Sequence, residues 1–329
     1  MYRIDGSTVL ITGGAGFIGS TTADQLLAAG AAKVRILDDF SRGNRRNLAH
    51  ASSIGNLVII EGDIRDPQIV DSAVQGVDYI FHEAALRITR CAEDPRAGIE
   101  VLVNGTLNVL ESAVRHHIKK VVAASSASVY GNPIYLPMDE THPFNNRTLY
   151  GAAKIANEQM CRAYYEMHGL PYISLRYFNV YGPRMDLDGV YTEVMVRWMD
   201  AIQSGQPLKI FGEGSQSMDF VYVEDVARAN LSALESQQVD DVFNVGTGHQ
   251  TNLKELSQML LRIYGSSLTP EFLPARAVNN VQVRRADVAK AERLLGFKAQ
   301  VDLETGLRTL VQWREETKLV SALLTGGTR

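Results

Sequence analysis

Cysteine is scarce in this 329-residue chain: Cys91 and Cys161 are the only two, in no Cys-x-x-Cys or metal-ligand spacing. That excludes a disulfide framework and a cysteine-ligated zinc, so reduced thiols and no metal are expected. Long apolar runs are missing too. None approaches the ~18 residues of a membrane span, and no charged N-terminal stretch leads into a signal-type apolar segment. A cytoplasmic protein without a membrane partner is expected. Positive charge is not in excess either: 33 Lys and Arg against 37 Asp and Glu leave a net charge of −4, no footprint for nucleic acid. Internal repeats, low-complexity segments and long linkers are also lacking. What remains, 45% hydrophobic, suffices for one large core or two adjoining ones. The final stretch, Leu323 to Arg329, has little to pack and is expected to fray.

The N-terminal segment carries the first positive signal. Val9-Leu10-Ile11-Thr12 is an apolar β run feeding Gly13-Gly14-Ala15-Gly16-Phe17-Ile18-Gly19, a glycine turn at the head of a helix. This is the setting of a dinucleotide loop. Gly13 permits the turn, Gly16 lets backbone approach a pyrophosphate, and Gly19 allows close helix–strand packing. The helix opening at Phe17 and Ile18 offers unpaired N–H donors to the pyrophosphate. A second β run, Val34 to Leu37, ends in Asp38, roughly 20 residues on, where a carboxylate binds the ribose hydroxyls and repels a 2′-phosphate. NAD is therefore favoured over NADP, with Arg42, Arg45 and Arg46 downstream weakening that preference.

Further β runs at Leu57 to Ile60, Tyr79 to Phe81, Lys120 to Ala124 and Tyr172 to Leu175 alternate with helical stretches. Such alternation implies a parallel sheet wrapped by helices. Small or polar clusters follow the strands, and ligands of open α/β sheets bind beyond the strands' carboxyl ends. Asp63 and Ile64 are thus expected to flank adenine, with Ala84, Ala85 and Asn104 along the cofactor.

Tyr150 and Lys154 share one helix face at i and i+4, preceded by Ser125-Ser126-Ala127-Ser128-Val129-Tyr130-Gly131. A lysine ammonium near a phenol favours the phenolate, so a group that ordinarily titrates near ~10 becomes a base near neutrality.

Together with Gly62-Asp63-Ile64, His82-Glu83-Ala84-Ala85, Arg176 to Arg184, Phe211-Gly212-Glu213-Gly214, Phe220-Val221-Tyr222-Val223 and Asn244-Val245-Gly246, these segments resemble the extended short-chain dehydrogenase/reductase family. The likeness is to its nucleotide-sugar epimerase and dehydratase branch, over nearly the whole chain, and most of all to UDP-sugar 4-epimerases. It implies a Rossmann-type doubly wound parallel sheet with a smaller α/β substrate-binding domain. Residues 1–178 are then the NAD-binding domain, and 179–329 mainly bind the nucleotide sugar, some segments returning to the first domain. By the same resemblance Tyr150 is the catalytic base, and Lys154 binds the nicotinamide ribose and lowers the tyrosine pKa. Ser126 bonds the reacting sugar hydroxyl, Asn179 meets the sugar diphosphate, and helices near 104–116 and 150–168 pair in a homodimer.

If Tyr150 removes a proton from a sugar hydroxyl, the carbon bearing it gives hydride to nicotinamide and becomes a ketone. Dehydratases of the branch carry an acid/base pair just after the serine; here those positions are Ala127 and Ser128. Elimination is disfavoured, and return of hydride to the opposite face, a 4-epimerisation, is expected. A lyase drawing on Glu83 or Cys91 is the alternative, and a non-catalytic NAD sensor is a third reading. Arg276 is either a diphosphate clamp or a surface arginine; Phe211 either stacks on the nucleobase or joins the core. Arg284 and Arg285 fall near the position that limits sugar size in the resembling epimerases. Met218 stands where many relatives carry a phosphate-binding arginine. Arg87, Arg90 and Arg147 are placed to approach the sugar, which opens the reading of an acidic sugar. The choice among glucose, N-acetylglucosamine and glucuronate stays open.

Overall fold

The computed structural model describes residues 2–186, 194–274 and 281–325. Its first half alternates strands β1 (Thr8–Thr12), β2 (Lys33–Asp38), β3 (Leu57–Glu61), β4 (Tyr79–His82), β5 (Lys120–Ser126) and β6 (Tyr172–Tyr177) with helices. Those helices are α1 (Phe17–Ala28), α2 (Ala49–Ile54), α3 (Pro67–Val74), α4 (Ile88–Glu93), α5 (Pro95–Ile99), α6 (Gly105–Arg115) and α7 (Leu149–His168). Then come β7 (Asn179–Tyr181), α8 (Val194–Gln203), β8 (Lys209–Phe211), β9 (Ser217–Met218), β10 (Phe220–Tyr222), α9 (Val223–Glu235) and β11 (Asp241–Val245). The last elements are β12 (Thr251–Asn252), α10 (Leu253–Ile263), β13 (Glu271–Leu273), α11 (Ala289–Leu295) and α12 (Leu303–Thr325).

Seven strands form one parallel sheet in the order β11-β6-β5-β4-β1-β2-β3. Helices cover both faces, which is why its inner strands read as continuous apolar runs rather than alternating ones. Along β1, Val9 and Ile11 pack toward α1 and α9, while Leu10 faces the opposite core of α3, α6 and α7. Successive strand residues point to opposite faces, so each adjacent apolar residue has its own core to fill. The strand order reverses between β1 and β4, and the carboxyl ends there open a crevice.

Small two-stranded sheets pair β7 with β10, β8 with β13 and β9 with β12. A separate core gathers Trp198 and Met199 of α8, Leu256 and Leu260 of α10, and Leu307 and Leu310 of α12. The link between the two layers is short: Phe178 N–H donates to Val245 O at 3.0 Å, and the next amide, of Asn179, donates to Asp219 O at 3.0 Å. Among the described residues no helix is long and apolar enough to cross a membrane.

Candidate active site

The crevice is a cleft of about 680 Å³. Gly13, Gly16, Phe17, Ile18, Gly19, Asp38, Asp63, Ile64, Ala84, Ala85 and Tyr150, all singled out from the sequence, line it. Gly13 has φ +69°, and a Cβ there would meet the Ala84 Cα and N at 2.7 Å. Its glycine is thus needed both for the left-handed turn and for the approach of β4's exit loop. At Gly19 a Cβ would stand 2.5 Å from Gly13 O. No side chain caps α1 and no acidic residue lies in its first turn, so its leading N–H groups remain available to an anion.

Asp38 is buried at the end of β2, accepting hydrogen bonds from Ala15 N–H and Phe40 N–H, both at 2.9 Å. Burial raises its pKa and the two amides oppose that rise. A carboxylate fixed in this way on the cleft wall suits a ribose diol. Arg46 and Arg42 also line the cleft, and Arg42 pairs with Asp186 at 3.1 Å. Arg45 pairs instead with Glu61 at 2.5 Å. Together the uncapped helix, the glycine turn and Asp38 fit NAD.

Beneath the cleft, His82 bridges Thr12 and Thr106 at 2.7 and 2.9 Å. Thr106 already donates its proton to Leu102 O, so it accepts from His82 Nε2–H, and Nδ1 accepts from Thr12. The ring is neutral, its pKa pushed down to about 3 by burial.

Tyr150 stands in the first turn of α7, whose N-cap is Thr148, its Oγ1 accepting from Gly151 N–H at 3.1 Å. Gly151 lets this turn press on the preceding loop, since a Cβ would lie 2.6 Å from Ser128 O. Ser126, at the end of β5, hydrogen-bonds the Tyr150 phenol. Lys154 lies one turn on, buried, its Nζ 5.8 Å from the centroid of the Tyr150 ring and donating to Ala124 O at 2.7 Å. The three expected catalytic groups therefore converge.

Desolvation pushes the Tyr150 phenol up to about 12, opposed by the hydrogen bond from Ser126 and the charge of Arg284. Lys154 is itself lowered to about 8 by burial, with Glu83 working against the fall. Loss of water is the largest influence on the phenol in the protein alone.

Asn104 lies exposed at the end of a π-helical turn, Glu100–Asn104, outside the cleft lining, which includes Val101 of the same turn. Glu83 lines the cleft, but its carboxylate accepts from Tyr177 OH at 2.8 Å and Asn230 Nδ2 at 3.0 Å. Cys91 is inaccessible, its thiol pushed up by burial. Arg87 lines the cleft and pairs with Asp186 at 3.4 Å, whereas Arg90 pairs with Glu93 and Asp94 on the surface. Among the described residues the buried Oδ1 of Asn179 has no hydrogen-bond partner. Phe211 ends β8, half-buried beside β13, and lines neither the cleft nor the neighbouring cavity. Arg276 lies outside the described residues.

That neighbouring cavity, about 440 Å³, is bounded by Arg147, Ser128, Leu149 and Arg284 among others. Support for α7 comes from a pair not singled out in the sequence. Arg176 of β6 holds Glu158 in two hydrogen bonds of 2.9 and 2.7 Å, both side chains under 5% exposed. Ser125 Oγ donates to the same carboxylate at 2.5 Å. Glu158 follows Lys154 by four residues, so the spacing of Tyr150 and Lys154 extended by one turn would have pointed to it. Trp313, Arg314 and Thr317 of α12 reach the cleft from the far end of the chain, which no local spacing signals.

The model of the NAD-dependent epimerase/dehydratase family matches residues 9–246. A UDP-glucose 4-epimerase of Mycolicibacterium smegmatis is 36% identical over 307 residues, covering 92% of this chain and 97% of the relative. A UDP-N-acetyl-alpha-D-glucosaminuronate decarboxylase of Bacillus cytotoxicus is 33% identical over 325 residues, 93% of this chain and 97% of that one. Among solved structures, the UDP-N-acetylglucosamine 4-epimerase of Methanobrevibacter ruminantium M1, in complex with UDP-N-acetylmuramic acid, superposes with a TM-score of 0.90. It is 32% identical, and the match covers 95% of this chain and 99% of that one. Dehydratases also occur among the solved relatives, several of which hold NAD.

Proposed function

The chain belongs to the NAD-dependent epimerase/dehydratase family, and on that premise we propose that it is a nucleotide-sugar 4-epimerase, with a UDP-linked substrate. One observation carries the choice within the family: beside Ser126, Tyr150 and Lys154, the two positions expected to hold an acid/base pair in a dehydratase are the buried Ala127 and Ser128. Glu83 and Cys91, the remaining candidates for an acid, are respectively tied to Tyr177 and Asn230 and sealed from the cleft. The chemistry left to this site is removal and return of one hydrogen.

The glycine turn and Asp38 would hold NAD, which would supply the reversible hydride acceptor. Ser126 holds the C4 hydroxyl of the sugar against Tyr150, which accepts its proton. Lys154, fixed by Ala124 O, stabilises the phenolate and bonds the nicotinamide ribose. The resulting 4-keto sugar turns while its diphosphate stays anchored near Asn179, presenting its other face. Tyr150 then returns the proton to the new alcohol, leaving cofactor and protein as they began. A homodimer joined through α6 and α7 completes this reading; it places half-buried Leu107, Val114, Met160 and Tyr164 near the shared surface.

Incubation with UDP-glucose, UDP-N-acetylglucosamine and UDP-glucuronate separately, followed by proton NMR without added reductant, tests the proposal. A galacto-configured product supports it. An unsaturated or accumulated 4-keto product would assign the chain to the lyases.

A further inference from the structure

Glu83 lines the cleft from the loop that follows β4, and the hydrogens around it do not balance if it is ionised. Tyr177 OH lies 2.8 Å from Glu83 Oε1 and 2.6 Å from Asn230 Oδ1, while Asn230 Nδ2 reaches the same Oε1 at 3.0 Å and Thr22 Oγ1 at 3.1 Å. The amide has two hydrogens for its two contacts. The phenol has one hydrogen for two oxygens, and neither a carboxylate nor an amide carbonyl brings another. One of these short contacts is then left as oxygen against oxygen, with no room for a water between them. Turning the amide over only moves the shortage, because its oxygen would stand 3.0 Å from Glu83 Oε1. In either orientation one more proton completes the set. Tyr177, Asn230 and Thr22 are buried and already hold all the protons they keep at neutral pH, so the carboxyl is the group left to carry it.

The surroundings agree with that count. Desolvation raises the Glu83 pKa, opposed by the bond from Tyr177, the charge of Lys154 and the bond from Asn230. Tyr177 keeps its own proton, since burial and the neighbouring Glu83 raise its pKa as well. The titratable groups around Glu83 are therefore Tyr177 on β6 and Lys154 and Tyr150 on α7; Asn230 on α9 and Thr22 on α1 are neutral. Lys154 gives a hydrogen bond to Ala124 O.

We propose that Glu83 is a neutral carboxylic acid in the working enzyme: its Oε1–H donates to the Tyr177 oxygen, Tyr177 OH donates to Asn230 Oδ1, and no unpaired carboxylate of the protein faces Tyr150. Glu83 is then a positioning residue that acts through the tyrosine, and the inference rests on the catalytic reading of Tyr150. An ionised Glu83 raises the Tyr150 pKa; the neutral acid does not, so the phenol gives up its proton more readily. The same proton explains why a carboxyl lining the cleft is no base for elimination: the oxygen that would take a hydrogen already carries one.

Infrared difference spectra of NAD-loaded protein at neutral pH, parent against Glu83→Gln, test the proton directly. The expected signal, present in the parent alone, is the carbonyl stretch of a protonated carboxyl that shifts in deuterium oxide. A carboxylate band in its place overturns the inference. In Tyr177→Phe the carbonyl stretch should move to higher frequency, as for an acid that has lost its acceptor, and an unmoved band overturns the assigned bond. The effect on the tyrosine is read by NMR of NAD-loaded protein labelled at the tyrosine ζ-carbons, the Tyr150 signal being assigned by its loss in Tyr150→Phe. Its midpoint should agree between parent and Glu83→Gln within about 0.3 unit, because position 83 is uncharged in both. A midpoint about 1 unit lower in Glu83→Gln, as removal of a nearby like charge gives, overturns the inference. A phenol that keeps its proton throughout, beside an intact Glu83 carbonyl band, would instead remove Tyr150 as the base and leave the proton on Glu83 standing.

Discussion

Gly19→Ala sets two physical effects against each other. Gly19 is inside α1, where exchanging glycine for alanine in an exposed helix gains about 1 kcal/mol. Here the new Cβ would stand 2.5 Å from Gly13 O and 2.7 Å from Gly14 Cα. Both are backbone atoms, so relief requires α1 to move off the turn rather than a side chain to rotate. Overpacking of this kind costs about 1–3 kcal/mol, enough to cancel the helix gain and leave a net loss of up to about 2 kcal/mol. The turn also carries the N–H groups that face the pyrophosphate, so NAD affinity should fall with stability. Gly16→Ala is the contrast: its Cβ would meet only Gly13 O, at 3.1 Å, and Gly16 lines the cleft. That variant should keep its melting temperature within about a degree while losing at least about tenfold in NAD affinity. Thermal melts of nucleotide-stripped protein and fluorescence titration with NAD read both. A Gly19→Ala protein as stable as its parent, with unchanged NAD binding, would refute the close-packing argument.

Asp38→Asn removes the charge that excludes a 2′-phosphate; NAD binding should weaken about 10-fold and NADP binding should improve, as cofactor titrations would show. Unchanged selectivity would mean the ribose end is read elsewhere. Arg176→Met should cost about 3–5 kcal/mol in urea unfolding because Glu158 is left buried and uncompensated, and adding Glu158→Gln should recover most of that loss. Equal stabilities of the single and double variants would contradict it. His82 gives a pH signature. Its folded pKa, about 3, lies below the 6.5 of the free group, so unfolded chains take up a proton that folded ones refuse. This contribution is intact above pH 6.5 and declines as pH falls toward 3, by up to about 1.4 kcal/mol per unit. Urea unfolding between pH 7.5 and 5 should show a shallower slope for His82→Gln, and identical slopes would exclude the assignment.

How much of the site could be read from sequence depended on whether its geometry is local. The glycine turn, Asp38 and the Tyr150–Lys154 pair are fixed by spacings within one strand–turn–helix unit or one helical turn, so their periodicity already places them. Strand runs such as Leu57 to Ile60 were found one residue short, because Glu61 extends the ladder beside Asp38. The segment before α6 is a π-helical turn from which Val101 lines the cleft, a placement that no sequence spacing signals. Desolvation of the Tyr150 phenol depends on every neighbour that excludes water, which a four-residue spacing does not report. Arg284 is 134 residues from Tyr150 in the chain, and the bridges of Val283 to Ser217 and of Ala286 to Met138 position its segment there. The α12 residues at the cleft mouth have the same tertiary origin.

The central claim is that one hydrogen leaves C4 and returns to it without exchange with water. The most direct measurement runs the reaction in deuterium oxide with the accepted UDP-sugar and reads the ring carbons of the product by proton and deuterium NMR. A galacto-configured product retaining protium at C4 and C5, with that turnover abolished in Tyr150→Phe, is the predicted result. Deuterium at C5, or an unsaturated sugar, would show that an acid elsewhere in the site drives elimination and would contradict the account.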